Sequence, residues 1–279
     1  MICRFLAVLA TLVVSASSHL AADEKPAEKI NSEKIKILLI GHQLDHPFGS
    51  HMYLHECGLL AKCLSQTPGV EAVVSDRWPK DPKVLDGVKA IVFYSSPAAN
   101  LMLQGPHAAQ AEKLLADGVG YNAIHWGTGA EGNELGERYL RVLGGWFHQS
   151  FEGLHVGPSR VIQIDPAHPI CRGWKDYDLR DEWYLGTRLA PGAKPLLKVP
   201  VKGKDQVVAW VYERPDSNHG RSFGITLGHF HENFGIEEFR KAIVNGILWT
   251  AHREVPQEGA PVKIVPADMD LGADPRKKK

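Results

Sequence analysis

Between residues 36 and 125 the chain four times builds a short apolar run that stops abruptly at a turn. The runs are Lys36-Ile-Leu-Leu-Ile-Gly41, Val70–Val74, Ala90-Ile-Val-Phe-Tyr94 and Tyr121–His125. Each is strand-length and most are apolar throughout, the pattern of a strand buried on both faces in a parallel sheet. Helical patterns come between and after them. Tyr53–Ser65 sets Leu59, Leu60 and Leu64 on one side, Pro106–Asp117 opens on Pro and closes on Gly118, and Glu131–Leu143 follows the fourth run. Strands alternating with helices predict an α/β protein: an open, mostly parallel sheet with helices on both faces.

The second half is richer in strands, with Arg160–Ile164, Ala193–Val199, Val207–Tyr212 and Ser222–Leu227, before a last helix at about Ile236–His252. A chain of 279 residues suits one well-buried domain, placed at 34–255. Residues 256–279 carry Pro, Gly, Asp and a final Lys-Lys-Lys and are expected as a flexible C-terminal tail. At the other end, Arg4, the apolar Phe5–Val14 and the small residues Ser15–Ala22 predict a secretory signal peptide over 1–22, then a polar linker over 23–33. The expected destination is secreted or periplasmic, with no membrane span in the mature chain. Outside the signal stand Cys57, Cys63 and Cys171, an odd number that argues against a disulfide framework. Lys+Arg and Asp+Glu balance at 32 each, so nothing in the charge favours nucleic acid or an anionic membrane.

Histidine is the outlier, with 14 copies. Ligands of open α/β sheets bind beyond the carboxyl ends of the strands, and several histidines and carboxylates fall there. His42, Asp45, His46, His51 and His55 follow the first run, and His125 ends the fourth. Asp181-Glu182-Trp183-Tyr184 lies in the second half, and Gly228-His229-Phe230-His231 follows a strand. At Ala123-Ile124-His125-Trp126-Gly127-Thr128-Gly129 the strand enters a glycine-rich turn and then a helix, where related architectures hold a strained Ser or Cys nucleophile. Here the apex is an imidazole, which excludes acyl-enzyme chemistry of that kind and suits proton transfer or metal ligation. His229 and His231 alternate as on a strand, which would put both on one face. With His46 or His51 they would make a site for a divalent metal such as zinc. Of Asp181 and Glu182, only one faces the pocket if both lie in a strand; apolar surroundings would suit that one to acid–base work. Trp146 and His155 precede the fifth strand and are candidates for the same cleft. His107, His148, His219 and His252 are assigned to the surface. No Gly-x-Gly phosphate signature follows the first strand, so nucleotide binding is not supported.

Several pieces, taken in order along the chain, resemble the ThuA-like (trehalose-utilisation) family. They are Asp45-His46-Pro47-Phe48-Gly49-Ser50-His51, Val119–His125, Asp165-Pro166-Ala167-His168-Pro169-Ile170 with Arg172-Gly173, Asp181-Glu182-Trp183-Tyr184, Val208-Ala209-Trp210 and Gly228-His229-Phe230-His231. One departure is Met52, which stands after His51 where relatives often carry Glu. The resemblance implies a three-layer, flavodoxin-like fold of the class I glutamine amidotransferase-like type. It also implies a role in carbohydrate metabolism, the processing of 3-keto sugars or glycosides, with a glycoside 3-dehydrogenase acting upstream.

The chemistry fits: a ketone at carbon 3 acidifies the proton on carbon 2, so one base and one group that stabilises the enolate suffice. The expected catalytic residues are His125, Glu182, His229 and His231. His51, His155, Trp126, Asp181, Trp183 and Tyr184 are expected to bind the sugar, and His46, His51, His229 and His231 to hold any metal. Two alternatives remain open at this stage. One is a catalytically silent carbohydrate-binding module that stacks sugar on Trp126, Trp183 and Tyr184; the other is a metal-dependent hydrolase.

Overall fold

The computed structural model describes Ile2 and residues 34–277; apart from Ile2, the expected signal and linker lie outside the described residues. In chain order the elements are β1 (Ile35–Gly41), α1 (Tyr53–Leu64), β2 (Val70–Asp76), β3 (Val88–Tyr94), α2 (Ala98–Leu103), α3 (Ala108–Ala116), β4 (Gly120–Ile124) and α4 (Asn133–Leu143). There follow β5 (Gly145–Trp146), β6 (Leu154–Gln163), β7 (Tyr177–Tyr184), β8 (Arg188–Leu189), β9 (Lys194–Val201), β10 (Lys204–Glu213), β11 (Arg221–Ile225) and α5 (Glu237–Thr250). None of the described helices is long and apolar enough to cross a membrane.

Nine strands form one sheet in the order β2-β1-β3-β4-β11-β10-β9-β6-β7, while β5 and β8 pair separately. The half from β2 to β11 is parallel throughout. Its order is the flavodoxin pattern, in which the winding reverses between β1 and β3 and opens a crevice at the carboxyl edge. From β11 outward every pairing is antiparallel. The sheet is therefore mixed, a parallel binding half extended by an antiparallel half.

The apolar runs bury both faces, as their composition requires. On β1, Ile37 and Leu39 join one core while Leu38 and Ile40 join the other; on β3, Val92 and Phe93 divide in the same way. The first core is closed by α1 and α5, the second by α2, α3 and α4. This makes three layers. The approach of α5 to the sheet is close enough to demand glycine: a Cβ on Gly246 would lie 2.3 Å from Phe223 Cδ1. The six-residue α2 escapes sequence reading because Ala98-Ala-Asn-Leu-Met-Leu103 is too short to show a helical period. Cys57, Cys63 and Cys171 are all buried and free.

The segment after residue 255 departs from expectation. Ala260 and Val262 are buried in the α1/α5 core. The backbone is held by side chains, with Arg240 Nε donating to Val262 O at 3.1 Å and Ala260 N donating to Asn245 Oδ1 at 2.9 Å. Lys62 then pairs with Asp268 at 2.7 Å, in a short 3-10 turn over Pro266–Met269. Composition alone read this stretch as loose because its anchors belong to other elements, 15 to 206 positions away.

Candidate functional site

Three loops at the carboxyl edge of the parallel half bring three imidazoles together. His51 ends the loop after β1, His125 stands at the end of β4, and His229 follows β11. The backbones are joined as well, with His51 N donating to His229 O at 3.1 Å. His51 (φ 51°) and His125 (φ 52°) both sit in the left-handed region, which costs a non-glycine residue free energy and clusters at working sites. His125 therefore occupies the strained elbow with an imidazole in place of a nucleophile. His51 is 1% exposed, His125 0% and His229 8%.

Hydrogen bonding decides which nitrogens face one another. His125 Nδ1 lies 2.8 Å from Thr226 O; a carbonyl only accepts, so Nδ1 carries the hydrogen and Nε2 presents a lone pair. His51 Nδ1 lies 3.1 Å from Asp45 Oδ1 and 2.7 Å from Tyr53 Oη, and Tyr53 donates to Asp45 Oδ2 at 3.1 Å. That orientation likewise leaves His51 Nε2 as a lone pair. His229 Nδ1 stands between them, 3.0 Å from His51 Nε2 and 3.2 Å from His125 Nε2. One hydrogen on His229 Nδ1 can serve only one of its two neighbours. Burial pushes His51 down to about 4 and holds His125 well below the ordinary histidine range, so neither ring takes up a proton readily.

Glu182 completes the cluster, its Oε2 3.5 Å from His229 Nδ1 and 3.6 Å from His125 Nε2. It comes from β7, an edge strand of the antiparallel half that turns back over the site. Tyr184, two residues along the same strand, sets its hydroxyl 3.3 Å from His125 Nε2 and stacks on Phe147 at 4.0 Å between centroids. Asp181, the residue before Glu182, points the other way and is fully buried. It accepts from Gly228 N at 2.7 Å, His229 N at 3.0 Å and Glu182 N at 2.9 Å. Burial raises Asp181 to about 6 against the pull of those three donors. Only Glu182 of the pair faces the cavity, as strand alternation requires.

The cavity is about 130 Å³, lined by His46, His51, Trp126, Glu131, Phe147, His148, Leu154, Glu182 and Tyr184 among others. Its walls combine imidazole and carboxylate with aromatic faces, the makeup of a small-molecule site.

His125 and His229 stand in the cluster behind the cavity wall, and four other expected site residues join neither cluster nor cavity. Asp181 holds the His229 loop through its backbone and makes no cavity wall. Trp183 is 0% exposed and buries its indole in the core, with Nε1 donating to Gly157 O at 2.8 Å. His155 pairs with Trp183 across β6 and β7, on the face opposite Glu182 and Tyr184; its neighbour Leu154 reaches the cavity instead. His231 is turned away to Glu56 and to Met269 O, because residues after Gly228 (φ 113°) leave the sheet and lose strand alternation. His46 covers the cluster without contributing to it: its ring lies 3.6 Å from that of His51 and its Nδ1 2.8 Å from Asp45 Oδ1. His148, read from sequence as surface, lines the cavity. No local pattern marked it, since its position depends on the β5–β8 pairing beside it.

Two groups of these residues could hold a metal: His51 with His125 and His229, and Asp45 with His46 and His51. The first fits better. Ligands about 2.0–2.1 Å from a tetrahedral zinc stand roughly 3.3 Å apart, and the ring nitrogens here are already 3.0 and 3.2 Å apart. The other nitrogen of His51 and of His125 meets a carboxylate or a carbonyl, the usual orienting contact of a metal-binding histidine.

Fold and site together define a three-layer α/β protein with an imidazole–carboxylate cluster at the switch point and no nucleophile at the elbow. The family profile described as "Trehalose utilisation", ThuA, matches residues 48–250. The chain belongs to the ThuA family. A ThuA-like protein from Bacteroides uniformis has a similar structure, with a TM-score of 0.61 at 18% identity over 85% of this chain and 99% of that one. A glutamine amidotransferase from Thermotoga maritima aligns with a TM-score of 0.40 at 13% identity over 79% of this chain and 91% of that one. No curated protein sequence matches.

Proposed function

We propose that the protein processes 3-keto sugars or 3-keto glycosides, with proton abstraction from carbon 2 as its central step. The observation that carries this is the meeting of His51, His125, His229 and Glu182 in one cluster, of which His51 and Glu182 line the cavity, at an elbow that holds no Ser or Cys. Family membership supports carbohydrate as the substrate class. Glu182, 16% exposed and open to the cavity, is the base. It takes the proton from carbon 2, the electron pair forms the carbon 2–carbon 3 double bond, and the carbonyl oxygen on carbon 3 becomes negative. Reprotonation completes an isomerisation. Alternatively, the pair moves on to expel the carbon 1 substituent, which leaves with a proton as the carbonyl re-forms.

Neutral His51 and His125 direct lone pairs, not hydrogens, at the cluster, so they suit cation binding better than direct donation to the oxygen. A divalent ion such as zinc on His51 Nε2, His125 Nε2 and His229 Nδ1 would supply positive charge for that oxygen. Trp126 offers an apolar face to the ring. The silent binding module loses support from the burial of Trp183, one of its three stacking platforms. A soluble 3-keto glycoside implies a glycoside 3-dehydrogenase upstream, and the Phe5–Val14 run implies export.

The test is to incubate the protein with a 3-keto glucoside in deuterium oxide and follow carbon 2 by NMR. Deuterium entering carbon 2, with isomer or released aglycone, is the expected result. Sugar binding with neither exchange nor product would overturn the reading in favour of a binding module.

A further inference from the structure

His231, turned away from the cavity, meets His55 and Glu56 in the first turn of α1, and the ligand atoms of all three lie within 4.8 Å of one another. We propose that His55, Glu56 and His231 form a second, structural site for a divalent transition-metal ion such as zinc, independent of the cavity cluster. His55 Nε2 lies 2.9 Å from Asp268 O and His231 Nε2 2.9 Å from Met269 O. Carbonyl oxygens only accept, so Nε2 carries a hydrogen on both rings, and Nδ1 is the atom each would offer a metal, on His231 by giving up any proton shared with Glu56. This is again the arrangement in which an outer partner orients a metal-binding imidazole.

Glu56 is 0% exposed. Its Oε1 contacts His231 Nδ1, but its Oε2 is buried with no hydrogen-bond partner. A proton on His231 satisfies Oε1 alone and leaves Oε2 unanswered. A divalent cation engages both imidazoles and the carboxylate at once, and two nitrogens with one carboxylate is a donor set that zinc and its neighbours accept.

The site also has work to do. It ties α1 to the turn at Pro266–Met269, whose carbonyls aim the two rings. It braces the active loops too, since His231 N donates to Gly49 O at 2.9 Å and Ser50 bridges to Phe230. His51 and His229 are the residues so held. An ion here would fix their spacing without touching substrate.

The test uses the full chain stripped with chelator and titrated with zinc by calorimetry and with cobalt by visible absorption. One equivalent should disappear in both His55→Ala and the nearly isosteric Glu56→Gln. It should persist in His51→Ala and His125→Ala, which report on the cavity cluster instead. Wild-type protein should also gain several degrees in melting temperature on saturation of this equivalent, and Glu56→Gln should lose that gain. The proposal is overturned if His55→Ala and Glu56→Gln bind as many ions as wild type, or if every equivalent vanishes with His51→Ala. Absence of any bound ion in wild type overturns it equally. Keto-sugar turnover plays no part in these readouts, so the proposal stands or falls apart from the function proposed above.

Discussion

Replacing Glu182 with Gln separates a catalytic carboxylate from a structural one, and the structure sets the size of both effects. The Glu182 side chain is 16% exposed, and its nearest basic atoms are His229 Nδ1 at 3.5 Å and His125 Nε2 at 3.6 Å, beyond good hydrogen-bond length. The amide has almost the same shape, so no cavity opens and no short hydrogen bond is broken. A substitution of that kind costs within about 0.5 kcal/mol, which for a domain of this size moves the melting temperature by about 2 °C or less. Loss of a general base typically slows the reaction about 100- to 10,000-fold, equivalent to roughly 3–5 kcal/mol at 1.36 kcal/mol per tenfold. The two scales differ enough to be told apart. The assay is carbon 2 deuterium exchange and product release from a 3-keto glucoside, with thermal melts of both proteins. Exchange at more than about a third of the wild-type rate would refute the assignment of Glu182 as base, the range expected for a base being far larger. A fall in melting temperature beyond about 8 °C, with activity lost in proportion, would make it a structural group instead.

Asp181→Ala should behave in the opposite way: it leaves the N–H groups of Glu182, Gly228 and His229 without their acceptor. At about 1–3 kcal/mol for each buried orphan, partly offset by removing a buried charge, the expected loss is about 3 kcal/mol, read as a melting temperature lower by about 6–12 °C. Trp126→Ala should raise KM for a 3-keto glycoside several-fold, whereas His155→Ala, on the face away from Glu182, should leave kcat and KM within twofold; a large effect of His155→Ala would place the cavity wrongly. Protein isolated from its native host should begin between about residues 17 and 24, the margin typical of cleaved signals. Mass spectrometry of the amino terminus measures this, and a pool retaining Met1–Ala22 would remove the export reading.

What the sequence determined by itself was local, because local physics produces it. Runs such as Ile37–Ile40 and Ile91–Tyr94 are apolar at every position, and only burial on both faces of a parallel sheet accommodates that. The ends of those runs then marked the edge at which open α/β sheets take their ligands, which is why His51, His125 and His229 could be singled out before any geometry was known. Glu182 was recognisable as one of two candidates, since alternation along a strand lets only one of Asp181 and Glu182 face a cavity.

Tertiary structure alone decided the rest. That His231 parts from His229 follows from the chain leaving the sheet after Gly228. That Glu56 receives His231 depends on α1 packing beside a loop 175 residues away. Whether a residue near a strand end lines a cavity or fills the core turns on which strands pair: the β6–β7 register sends Glu182 and Tyr184 one way and His155 and Trp183 the other. The same holds for residues 256–277, polar by composition yet held by Arg240, Asn245 and Lys62. Contacts between distant segments are chosen by the fold as a whole, since the entropy of closing such long loops is recovered only when the entire core assembles.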